Sequence, residues 1–144
     1  MLRRRLLVFC VVALSLESCS YIPQDPSFAT ISGIISYREK TPLVPEAVVI
    51  VQLLDMSAGG AQSNIIAEQR LERPGQIPIR FDLKYDQGSV VRGHRYGLTA
   101  RIYAGRRLLF DTQGPYPVLG EDRPARLELV LERVPAPAND FPLE

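Results

Sequence analysis

Cys10, Cys19 and His94 are the only thiols and the only imidazole in the sequence, so they bound the nucleophilic and metal-binding chemistry open to it. One histidine gives no cluster for zinc and no Ser–His–Asp set with a second imidazole to choose from. His94 stands in Gly93-His94-Arg95 at the mouth of a predicted strand, where it reads as a solvated turn residue. Asp82 and Asp86 flank Lys84 on a polar strand face and read as surface charges rather than as an acid–base pair. No P-loop, no GxSxG elbow and no Gly-rich phosphate cradle occurs. The sequence therefore predicts no catalytic residue, no metal ligand and no cofactor site, and it does not read as an enzyme.

Cys19 is where a thiol has chemistry to do. Arg3, Arg4 and Arg5 form a positive head, and Leu6 to Leu16 form an apolar run broken only by Ser15. That run falls short of the roughly 20 apolar residues a membrane-spanning helix needs, and it matches the layout of a secretory signal peptide. Leu16-Glu17-Ser18-Cys19 then looks like a bacterial lipobox, in which the thiol takes the lipid and becomes the mature N-terminus. Leu16 at −3 and Ser18 at −1 fit; Glu17 at −2 departs from the usual small or apolar residue. A competing reading is ordinary cleavage after Ser20, with Ser18 at −3, which would give a soluble periplasmic protein.

Cysteine arithmetic favours the lipid. Cys10 leaves with the signal, so Cys19 has no disulfide partner in an oxidising compartment. Three acyl chains, at about 0.8 kcal/mol per buried CH₂, would make such an anchor (palmitate among its chains) effectively permanent. Ser20 follows the cysteine, where Asp commonly retains lipoproteins at the inner membrane, so the expected address is the outer membrane with the domain facing the periplasm.

Removal of residues 1–18 takes away three arginines and Glu17 and leaves 14 basic against 15 acidic side chains. That balance offers no field for nucleic acid and no attraction to lipid headgroups beyond the anchor. The predicted organisation is a signal peptide over 1–18, a tether over 19–27 containing Pro23 and Pro26, a β domain over 28–134, and a disordered Pro/Ala tail over 135–144.

Within the domain the period is 2. Phe28 to Tyr37 is rich in β-branched residues, and its Gly33 marks a bulge or a close backbone approach. Ala47 to Leu54 is almost continuously apolar and reads as a central strand covered on both faces. Asn64 to Glu72 favours helix by propensity, but Gly60, Pro74 and its position among strands make it β. From Ile77 to Tyr85 the alternation is cleanest, with Ile79, Phe81, Leu83 and Tyr85 on one side and Pro78, Arg80, Asp82 and Lys84 on the other, giving a strand with one wet face. Residues 94–112 read as a hairpin turning at Ala104-Gly105-Arg106, and Leu127, Leu129 and Leu131 mark the last strand. The fold class predicted is all-β: a single β-sandwich, or the related small barrel, of about seven to eight short, mostly antiparallel strands. Tyr37, Tyr85, Tyr96, Tyr103 and Tyr116 suit either an interface or sheet packing, with packing the simpler account for most of them.

Ile31-Ser32-Gly33 with Ser36-Tyr37-Arg38-Glu39, then Pro45 to Asp55, Ile77 to Phe81, Tyr96 to Ile102 and Tyr116 to Leu119, resemble the YbaY/YscW group of outer-membrane lipoproteins in content and order. The likeness spans about residues 29–134. The group includes the pilotins of type III secretion systems, YscW and ExsB. The resemblance implies a monomeric β-sandwich lipoprotein that holds a C-terminal segment of a secretin subunit while its lipid directs the pair to the outer membrane. It implies no cofactor, and it leaves the partner-binding residues unassigned. The physical requirement is a groove or sheet edge able to accept a short peptide. A YbaY-like envelope lipoprotein without a secretin partner is the alternative, and a periplasmic enzyme or inhibitor a third reading that would require a pocket of convergent polar groups.

Overall fold

The alternation is realised strand by strand. A computed structural model describes residues 27–57, 64–120 and 126–135. The signal segment, Cys19, most of the tether and residues 136–144 of the tail lie outside the described residues. Eight strands follow one another: β1 (Phe28–Tyr37), β2 (Ala47–Asp55), β3 (Asn64–Glu72), β4 (Ile79–Asp86), β5 (Tyr96–Ala104), β6 (Arg107–Asp111), β7 (Tyr116–Val118) and β8 (Glu128–Arg133). The only helical element among the described residues is one 3₁₀ turn, Gln87–Ser89.

The all-β expectation holds, with its layers joined into one barrel-like sheet. The ladders run β3-β2-β5-β6-β8-β1-β4, and β7 pairs the first half of β5. All pairings are antiparallel except β1 with β8, which run parallel with Ile35 opposite Leu129 and Tyr37 opposite Leu131. β8 is thus inserted between the first strand and β6, where Phe110 pairs Arg133.

Inward positions make the core. Val49, Val51 and Leu53 of β2 and Leu98, Ala100 and Ile102 of β5 are wholly buried, facing Ile35, Leu83 and Leu129 across the interior. Tyr37 stacks its ring on Phe110 at 4.2 Å and donates its hydroxyl to the Thr41 carbonyl. Burial, with Glu39 nearby, raises the Tyr37 pKa above its ordinary value.

Two sequence expectations are refined. β2 is covered on one face only: Val48, Ile50, Gln52 and Leu54 on the outer face are half-buried, because no second layer lies over them. Gly33 serves close approach and not a bulge, since its ladder with β4 runs without interruption. The Phe81 ring and the Leu127 carbonyl occupy the space where a β-carbon would stand.

Candidate functional site

The two end strands of the sheet, β3 and β4, are consecutive in sequence and lie side by side, yet no backbone ladder joins them. A hydrogen bond crosses between them from backbone to side chain: the Asp82 N–H donates to Gln69 Oε1 at 3.1 Å. Because Asp82 turns its amide away from its partner Ser32, the antiparallel alternation turns the amides of Arg80 and Lys84 the same way, into the seam. β4 therefore presents an edge with unpaired hydrogen-bonding groups.

On the other side of the seam β3 covers the core incompletely. A register shift opposite Leu53 and Leu54 leaves Ile66 as the extra residue, and Ile66, Ala67, Gln69 and Leu71 are only half-buried. Bulges of this kind belong to sheet edges and bend the strand. The 73–78 connection that brings β3 back to β4 is pinned from outside: the Gln76 amide both donates to and accepts from the Leu43 backbone, as a strand partner would. The seam is thus an edge without a backbone ladder, with a partly apolar floor.

His94 is exposed, as the sequence implied for a solvated turn residue, but its ring is anchored. Its Nδ1 lies 2.7 Å from Oδ2 of Asp55, a residue only 7% exposed at the end of β2. Asp55 also accepts the Ser57 N–H. The His94 hydrogen bond, followed by that from the Ser57 amide, holds the Asp55 carboxyl below its ordinary range. The two residues are 39 positions apart, so no local pattern joins them. The available hint was Asp55-Met56-Ser57 closing an apolar strand, the spacing of an Asx turn.

The remaining candidates fall where sheet packing puts them. Asp82 accepts the Ser32 hydroxyl, and Asp86 caps the 3₁₀ turn by accepting the Gly88 N–H. Tyr37 and Tyr96 are buried, whereas Tyr85, Tyr103 and Tyr116 are half-buried. The Tyr116 hydroxyl accepts the Val130 N–H and donates to the Val130 carbonyl, filling the place of a missing ladder partner on β8. Among the described residues no group of three His, Cys, Asp or Glu side chains is placed to hold a metal, and no helix is long and apolar enough to cross a membrane. Cys19 lies outside the described residues.

Comparison with known proteins agrees with this architecture. The alternative pilotin from the type II secretion system of Vibrio cholerae superposes with a TM-score of 0.71 at 32% identity, covering 76% of this chain and 99% of that one. The uncharacterized lipoprotein YbaY of Escherichia coli (strain K12) is 33% identical over 92 residues, 63% of this chain. The matched stretch is 48% of YbaY, so the chain spans about half the length of that relative. A family model described as the type III secretion system lipoprotein chaperone YscW matches residues 26–131, which take in all of the sheet, apart from the last residues of β8. The chain belongs to the YscW family of lipoprotein chaperones.

Proposed function

We propose that the protein is a lipid-anchored pilotin that binds the C-terminal segment of a type III secretin subunit and carries it to the outer membrane for ring assembly. In this reading residues 1–18 are a signal peptide, Cys19 carries the lipid, residues 19–27 are the tether and the domain faces the periplasm as a monomer. The observation that carries it is the open β3–β4 seam. An extended segment laid there would take the amides of Arg80 and Lys84, displace Gln69 from that of Asp82, and cover the half-buried Ala67 and Leu71. The family description names type III secretion, while the solved relative serves a type II system, so the secretin class is part of what the test decides. Likeness to YbaY supports a second reading, an envelope lipoprotein with no secretin partner.

The test is a pull-down from detergent-solubilised envelopes with the tagged lipoprotein as bait, read by mass spectrometry. Recovery of a secretin subunit, abolished by truncating that subunit's C-terminus, is the expected result. Bait present in the outer membrane with no secretin recovered overturns the pilotin reading in favour of the second.

A further inference from the structure

The His94–Asp55 pair is built into the wall of a cleft at the end of the sheet where β2 stops and β5 begins. The Met56 N–H donates to the Arg95 carbonyl at 2.8 Å, and the Arg95 N–H donates to Ser57 Oγ at 2.6 Å. The segment after β2 is thereby clamped against the segment before β5. The imidazole cannot turn without giving up Asp55, so Nδ1 is committed and Nε2 is the ring nitrogen left for a ligand. The ring also lies against Tyr96, whose hydroxyl accepts the Val91 N–H.

His94, Arg95, Tyr96 and Met56 form one side of this cleft, of about 280 Å³, and Pro117 to Gly120 form the other. Two backbone departures shape it. Gly97 has no room for a β-carbon because Pro115 and the Met56 sulfur close over it. Leu119 holds φ at 59°, a left-handed conformation that is unfavourable for a side chain of its kind and concentrates at binding sites. The volume lies just under the roughly 300 Å³ at which pockets for drug-sized ligands begin, so the cleft suits a group about the size of one residue.

His94 and Arg95 are the basic side chains at its rim. Asp55 is occupied by His94 and Ser57, which leaves His94 Nε2 and the exposed Arg95 to meet a ligand. An imidazole carrying both protons donates from Nε2 as well as from Nδ1. We propose that this cleft binds a carboxylate carried on a short apolar group, the chemistry shared by a polypeptide's free C-terminal residue and a small branched aliphatic acid. The carboxylate meets His94 and Arg95, and the hydrocarbon lies against Met56, Val118 and Leu119. Asp55 is a positioning residue that fixes the orientation of the ring by holding Nδ1. The inference stands apart from the secretin reading, which rests on the seam.

The test is an NMR titration of the full chain in detergent micelles at about pH 5.5, with three probes: N-acetyl-leucine, 4-methylpentanoate and N-acetyl-leucinamide. The expected result is saturable shifts at the His94 ring and the Val118 and Leu119 methyls with N-acetyl-leucine, and none with the amide. Matching shifts from 4-methylpentanoate would show that a small acid suffices; their absence would assign the site to a C-terminal residue. His94→Gln and, on the exposed side, Arg95→Gln should each weaken N-acetyl-leucine binding about tenfold, the scale of one charge-assisted hydrogen bond. Equal shifts from acid and amide, no saturable shift with either acid, or unchanged binding in both variants overturns the proposal.

Discussion

The ring of Phe81 lies over the α-carbon of Gly33, with Cζ only 2.7 Å from the point where a β-carbon would stand. The two residues are direct partners in the β1–β4 ladder, so the glycine is what lets a buried aromatic cross its neighbour strand. Gly33→Ala should destabilise the protein by about 1–3 kcal/mol, the cost of overpacking a closed interior. Phe81→Leu in that background should recover only part of the loss, because the Leu127 carbonyl stands 2.8 Å from the same point. Urea denaturation of the two variants decides it; full recovery would mean the ring alone sets the constraint.

Asp55 makes stability depend on acid. The His94 and Ser57 hydrogen bonds depress its folded pKa, so its contribution is complete above the unfolded value of about 3.9 and is lost as pH falls through the folded one. Asp55→Asn should be less stable than the parent near neutrality, and the difference should shrink as pH drops below about 4. Denaturation midpoints of both proteins at about pH 7 and about pH 3 measure that difference. A gap that stays constant would contradict the linkage.

Tyr116 stands in for a strand. With its hydroxyl removed, the Val130 N–H and carbonyl on β8 lose the partner that spans the interval between β7 and β8. Tyr116→Phe should therefore cost about 1–3 kcal/mol, more than the loss of an exposed hydrogen bond. Amide hydrogen exchange at Val130 should rise with it, and an unaltered exchange rate there would argue that the hydroxyl is incidental.

Gln69 is the bridge across the open seam. Gln69→Ala should leave global stability within about 0.5 kcal/mol of the parent while speeding hydrogen exchange at the Asp82 amide, because that group then faces an unfilled edge. Protection of Asp82 that survives the substitution would mean another group closes the gap.

Cys19→Ser tests the anchor. Loss of acyl labelling together with loss of outer-membrane fractionation is expected. Continued fractionation without any acyl label would separate location from lipid and sink the anchor assignment.

Local periodicity made most strands legible. The alternation of Ile79, Phe81, Leu83 and Tyr85 against Arg80, Asp82 and Lys84 places β4 to within two residues of its start, and Gly105, at φ 57°, supplies the turn between β5 and β6. β7 was hidden because Tyr116-Pro117-Val118 is too short to show a period and contains a residue that strands usually exclude. Pairing was the larger blind spot. Nothing local in Leu129 or Ile35 announces that they lie side by side in parallel, and the seam exists only as a consequence of which strands end the sheet. The anchoring of His94 was hidden for the same reason: it comes from Asp55 on another strand and not from its own turn.

The position of β8 sets the timetable of folding. Without it the ladder path falls into two pieces, β1 with β4 and β2 with β3, β5, β6 and β7. A chain emerging N-terminus first can form hairpins early, but no backbone ladder joins the two pieces until residues 128–133 are free. Closure of the ladder path then waits on a six-residue strand. Six residues near the C-terminal side of the described fold thus decide whether β1 and β4 share a ladder with the other strands.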